Sequence, residues 1–111
     1  MFRDLKWSDT EKKAARKAFQ TALSREFEAV TRMTKERAAK IAQPDDLWDL
    51  ENFLTESRKR IDHEYDYRYS VLPEVFARLI LNGRLSEDEI KGLQQDKLEL
   101  IGRYLEIARS R

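Results

Sequence analysis

Residues 45–71 read DDLWDLENFLTESRKRIDHEYDYRYSV, and their periodicity decides the fold. Leu47, Leu50, Leu54, Ser57, Ile61, Tyr65, Arg68 and Leu72 recur at alternating steps of three and four, the spacing that aligns one side of a helix. Ser57 and Arg68 are the polar breaks in this seam. Pro44 suits a first helical turn, where Asp45 and Asp46 face the partial positive charge of the N-terminus. A long second helix is therefore expected over residues 44–72. At about 100 degrees per residue, Trp48 points roughly 140 degrees away from the centre of the leucine seam. Carboxylates and an amide accompany it, with Arg58 nearer the seam, which is the residue mixture of an interface anchor. Cover by another helix also explains the tryptophan, and both readings stand.

Upstream, Ser8-Asp9-Thr10-Glu11 fits a capping box and opens a first helix over residues 8–42. Phe19, Leu23, Phe27, Val30, Met33 and Ile41 form its apolar stripe, with Ala15, Ala22 and Ala38 between them. Gln43-Pro44 stops it, because the proline ring disfavours helical geometry in the preceding residue. Downstream, Pro73 restarts the chain as a short helix over 73–82, with Val75, Phe76, Leu79 and Ile80 apolar and Asn82-Gly83 at its end. Ser86-Glu87-Asp88-Glu89 is a second capping box and predicts a final helix over 86–109. Gly92 and Gly102 either weaken that helix or admit a neighbour closely. No segment is read with a period of two, so no sheet is expected. The fold class is all-α: one helical domain, 1–111, of long antiparallel helices with a small helical head. It is expected to dimerise along the seam through Leu47, Leu50, Leu54 and Ile61.

Composition narrows the functions. Of 111 residues, 41% are hydrophobic and 39% charged, which suits amphipathic helices with wet outer faces. Lys and Arg number 22 against 21 acids, so a net charge of +1 supplies no bulk field for nucleic acid or anionic membrane. There is no cysteine, hence no disulfide or thiolate metal site. No charged-then-apolar opening segment points to secretion and no apolar run spans a bilayer, so a cytoplasmic protein that is not integral to a membrane is expected. One histidine, His63, in a charged run offers no activatable nucleophile or acid–base pair, and no enzyme is expected. Asp62 and Asp66 are too few for a metal, and pairing with nearby cations explains them better, so no cofactor or metal is expected. A helix-turn-helix over FARLILNGRLSEDEIKGL would open its second helix with three acids against phosphates, which argues against DNA. The Arg58–Arg60 run by itself reads as a solvated face.

The pattern DDLW-x-L-x-x-FL, R-x-x-ID-x-x-YD-x-R-x-SVL, then VFA-x-L and G, resembles the fluorescence recovery protein family over residues 45–85. The resemblance is weaker in the last helix and poor over 1–43. It implies a dimeric helical regulator from cyanobacteria that binds the red form of the orange carotenoid protein, chiefly through its C-terminal domain. Such a regulator speeds return to the orange form and ends quenching at the phycobilisome, in the cytoplasm near the thylakoid surface. By position, Trp48 and Arg58 match residues tied to activity in that family and Leu47 its dimer contact. Asp46, Tyr65, Asp66 and Arg68 match the surrounding motif, and Asp46, Tyr65 and Arg68 are taken as partner-facing with Trp48, Asn52 and Arg58. Asn52 stands where active family members carry aspartate. Loss of that charge costs on the order of 1 to 3 kcal/mol if the carboxylate meets a partner cation. It keeps open a scaffold for another client.

Overall fold

The computed structural model describes residues 5–111, so residues 1–4 of the expected domain lie outside it. Its order is α1 (Asp9–Ala39), α2 (Pro44–Glu64), α3 (Leu72–Leu81), a 3₁₀ turn (Glu87–Ile90) and α4 (Gln95–Arg109). There is no strand among the described residues. The capping box at the start of α1 forms in both directions: Glu11 N donates to Ser8 Oγ and Ser8 N to Glu11 Oε1, each at 3.1 Å. α1 and α2 are antiparallel, since Arg37 stacks on Phe53 while Arg60 reaches Glu26 and Tyr65 reaches Ala22. They form a hairpin whose base merges with a head of α3 packed on α4, giving an elongated body of 53 × 31 × 22 Å.

The buried line of α1 differs from the expected one. Glu11, Ala15, Ala18, Phe19, Ala22, Glu26 and Ala29 are buried, whereas Phe27 is 53% exposed and Met33 also lies open. Small residues let α1 sit close to the head, and bulk is displaced to the flanks. Gly92 shows how close: a Cβ placed there would lie 2.8 Å from Ala14 Cβ. The head core joins Phe19 and Ala22 to Leu72, Phe76, Leu79, Ile90, Leu93, Ile101 and Leu105. Each large side chain so covered contributes about 1.5–3 kcal/mol.

Three helix boundaries need correction. The second helix does not run to residue 72; it stops at Glu64, and 65–71 is irregular and turned. The alternation Tyr65-Asp66-Tyr67-Arg68-Tyr69 is a period-two segment that the helical reading passed over. Continued as a helix, it would aim Tyr67 about 160 degrees away from Tyr65. Leaving the helix places all three rings over α1. Tyr65 and Tyr67 pack edge-on against Phe19 at 5.7 and 4.8 Å, Tyr69 against Tyr67 at 5.5 Å, and Trp7 against Tyr69 at 5.2 Å. Burying three aromatic bodies outweighs a few helical hydrogen bonds of about 1 kcal/mol each.

The final helix is likewise shorter than 86–109. Glu87–Ile90 is a single 3₁₀ turn, and α4 begins at Gln95. The break lets Gly92 pass Ala14 and lets Gln94 N donate to Glu11 Oε2 at 2.8 Å. The first helix ends at Ala39 rather than 42. Asn82-Gly83 does end α3: Gly83 takes φ +77, and Arg84 N returns to the Leu79 carbonyl at 2.8 Å.

Candidate functional site

α2 carries the candidate site, and its first turn is fixed by Asp46. Asp46 Oδ2 accepts from Ala42 N at 2.8 Å and Gln43 N at 2.9 Å, and these bonds hold its carboxyl below the ordinary range. Asp46, expected to face a partner, thus serves as the helix's anchor. From that start, helical geometry distributes α2 over three faces. Ser57 and Ile61, both buried, turn with Phe53 and Arg60 toward α1. Leu47, Leu54 and Arg58 fall within about 40 degrees of one another on a flank, Leu47 at 49% and Leu54 at 41% exposure. Trp48, 59% exposed, faces away from α1, and Asn52, about 40 degrees further round, is exposed at the margin between that outer face and the groove beside α1. Trp48 is covered by no part of its own chain that would explain it as core. Along the axis, Trp48 and Arg58 are about 15 Å apart.

The other expected site residues are placed differently. Ile61, foreseen in a seam between subunits, is buried inside the chain, and Leu50 is half-buried. Tyr65 turns inward: its hydroxyl donates to Glu26 Oε1 at 3.0 Å, and burial, then the Glu26 charge, push its phenol well up. The polar tip of this half-buried residue is therefore engaged within its own chain. Arg68 grips Asp66 with Nε and Nη2 at 2.9 and 2.6 Å, outside the helix altogether. That exposed pair contributes little to stability.

Sequence reasoning missed the hub beneath the site. Glu26, 2% exposed, receives Arg60 Nη2 at 2.9 Å, Arg84 Nε at 3.1 Å and Tyr65 OH at 3.0 Å. Burial pushes its carboxyl up, but the hydrogen bonds outweigh that and hold it below the ordinary range. One carboxylate thereby ties α1 to α2, to the tyrosine segment and to the loop after α3. Above it, a groove between the hairpin helices is lined by Met33 and Arg37 on one side and Asn52 and Phe53 on the other. The Arg37 guanidinium lies 4.2 Å over the Phe53 ring. A second buried pair, Glu11 with Lys97 Nζ at 3.0 Å, lies in the head; Lys97 Nζ also donates to the Lys6 carbonyl. The overlooked signal was phase. Glu11 and Glu26 fall on the alanine line of α1 at steps of three and four, where a charge must find partners.

A helical hairpin on a packed head, with an exposed indole, amide, guanidinium and leucine row, has the build of a protein-docking module. No group of three metal-ligating side chains converges among the described residues, and none of their helices is long and apolar enough to cross a membrane. Residues 7–103 match the family described as photoprotection regulator fluorescence recovery protein. The fluorescence recovery protein of Synechocystis sp. PCC 6803 is 38% identical over 91 residues, 82% of this chain and 84% of that protein. The solved structure of the Fremyella diplosiphon fluorescence recovery protein aligns with TM-score 0.85 at 48% identity, covering 89% of this chain and 97% of that one. The Synechocystis structure aligns with TM-score 0.86 at 36% identity, covering 91% and 99%. The chain belongs to the fluorescence recovery protein family of photoprotection regulators.

Proposed function

We propose that this chain binds the photoactivated, red orange carotenoid protein through its C-terminal domain and accelerates relaxation to the orange form, ending fluorescence quenching at the phycobilisome. The observation that carries the reading is Trp48, displayed on the outer face of α2 within the family's own motif, with Arg58 on the adjoining flank. A protein with no chemical group to donate speeds a conformational change by binding the path between two states better than the starting state. The indole would supply buried apolar area and Arg58 a two-pronged hydrogen-bonding fork. The exposed Leu47 and Leu54 row is the proposed contact between two copies in a homodimer, which would double the docking face. The setting is the cytoplasm, at the thylakoid surface beside the phycobilisome.

Asn52 favours a second reading. A neutral amide on the docking face gives up a charge–charge contact, so the same scaffold would serve a different client. Dark recovery of photoconverted carotenoid protein, timed with and without this chain, separates the two. Acceleration that is lost in Trp48→Ala and Arg58→Ala, in proteins of unchanged oligomeric state, supports the first. No acceleration by the parent chain together with recovery of activity in Asn52→Asp supports the second. Full activity in both alanine variants overturns the assignment of the face.

A further inference from the structure

We infer a second docking surface, at the end of the hairpin opposite Trp48, built to hold an acidic segment of a partner protein. Lys12, Lys13, Arg16 and Lys17 fall within one arc of about 140 degrees and about 8 Å of α1, with no acid among them. None of the four is in an ion pair among the described residues, although Arg25, Arg60, Arg84 and Lys97 are each engaged by carboxylates. They line an open groove that continues along α1 past Gln20 and beside Tyr69.

Two of these cations are held in place in advance. The Arg16 guanidinium lies 3.9 Å over the Tyr67 ring, and Lys12 Nζ lies 5.5 Å over Tyr69. The tyrosine segment that ends α2 early thus provides a floor that orients charge outward. Four like charges so close repel one another, and a ligand bringing carboxylates relieves that repulsion. The same features disfavour other polyanions. Arg16 over Tyr67 and Lys12 over Tyr69 compete with bases for those rings, and two helical turns meet few phosphates. The groove offers no exposed aliphatic side chain to enter a lipid surface.

The test titrates the isotope-labelled 111-residue chain at low salt with a short poly-glutamate peptide, and in parallel with a DNA duplex and phosphatidylglycerol vesicles. The expected result is amide shifts confined to residues 12–17 and 67–69, weaker binding to DNA and vesicles, and a steep loss with salt. Lys13→Glu with Lys17→Glu should weaken the peptide about tenfold or more, while Lys35→Glu with Lys40→Glu, the same charge change at the far end of α1, leaves it unaltered. Equal losses in the two double variants would reduce the effect to net charge and overturn the inference. So would shifts elsewhere, tighter binding to DNA or vesicles, or no binding. Because no carotenoid protein is present, failure here leaves the proposed function untouched.

Discussion

Replacing Glu26 by Gln keeps the volume and removes the charge at the junction of hairpin and head. The carboxylate accepts from Arg60, Arg84 and Tyr65, all between 2.9 and 3.1 Å. The amide retains one acceptor oxygen but turns an NH2 group toward a guanidinium donor, so about two charge-assisted bonds are lost, each about 1.5–3 kcal/mol. Arg60 and Arg84 are part-exposed, at 41% and 29%, and recover some of this in water. The net expectation is a loss of about 3 kcal/mol, within the range for breaking a buried ion pair, or about 13 °C in Tm for a chain of this size. Urea unfolding at one fixed protein concentration is the assay, because association would otherwise move the midpoint. The m-value should stay constant. A loss below about 1 kcal/mol would refute the view of Glu26 as the tie between the two parts.

Gly92→Ala should destabilise by about 1–3 kcal/mol, because its new Cβ meets Ala14 at 2.8 Å, while Gly102→Ala, open on its helix, should stabilise by about 0.5–1 kcal/mol; thermal melts of the pair check this. Tyr67 OH is buried without a hydrogen-bond partner among the described residues, so Tyr67→Phe should be neutral or stabilising by up to about 1 kcal/mol in the same melts. Glu89 is held at about 2, chiefly by its hydrogen bonds from Arg25. Its folded pKa is below its ordinary 4.5, so its contribution is fully present above pH 4.5 and lost as pH falls toward 2. Glu89→Gln should therefore cost about 1 kcal/mol at neutral pH, after solvent screening of this part-exposed pair, and only a small fraction of that near pH 2 by denaturant titration. Charges introduced together as Leu47→Glu and Leu54→Glu should yield monomers by light scattering, with helical content unchanged.

Local signals were sufficient wherever one helix's own backbone settles the outcome. The Ser8 capping box, the start of α2 at Pro44 and the Gly83 turn act within a few residues, and each forms where the pattern places it. Trp48 was legible as lying off the core because helical phase alone sets its direction. The tertiary structure decided what depends on a second element. Residues 65–69 fit a helical seam taken alone, yet Phe19 and Trp7 on the far side of the hairpin draw the three tyrosines out of it. Ile61 and Leu47 are equivalent in the heptad spacing, but only Ile61 lies level with the part of α1 that covers it. The buried roles of Glu11 and Glu26 rest on donors 83 and 58 residues away in sequence, Gln94 and Arg84. Periodicity records which residues share a face; what that face meets is set by contacts between distant segments, whose geometry exists only once the chain has folded.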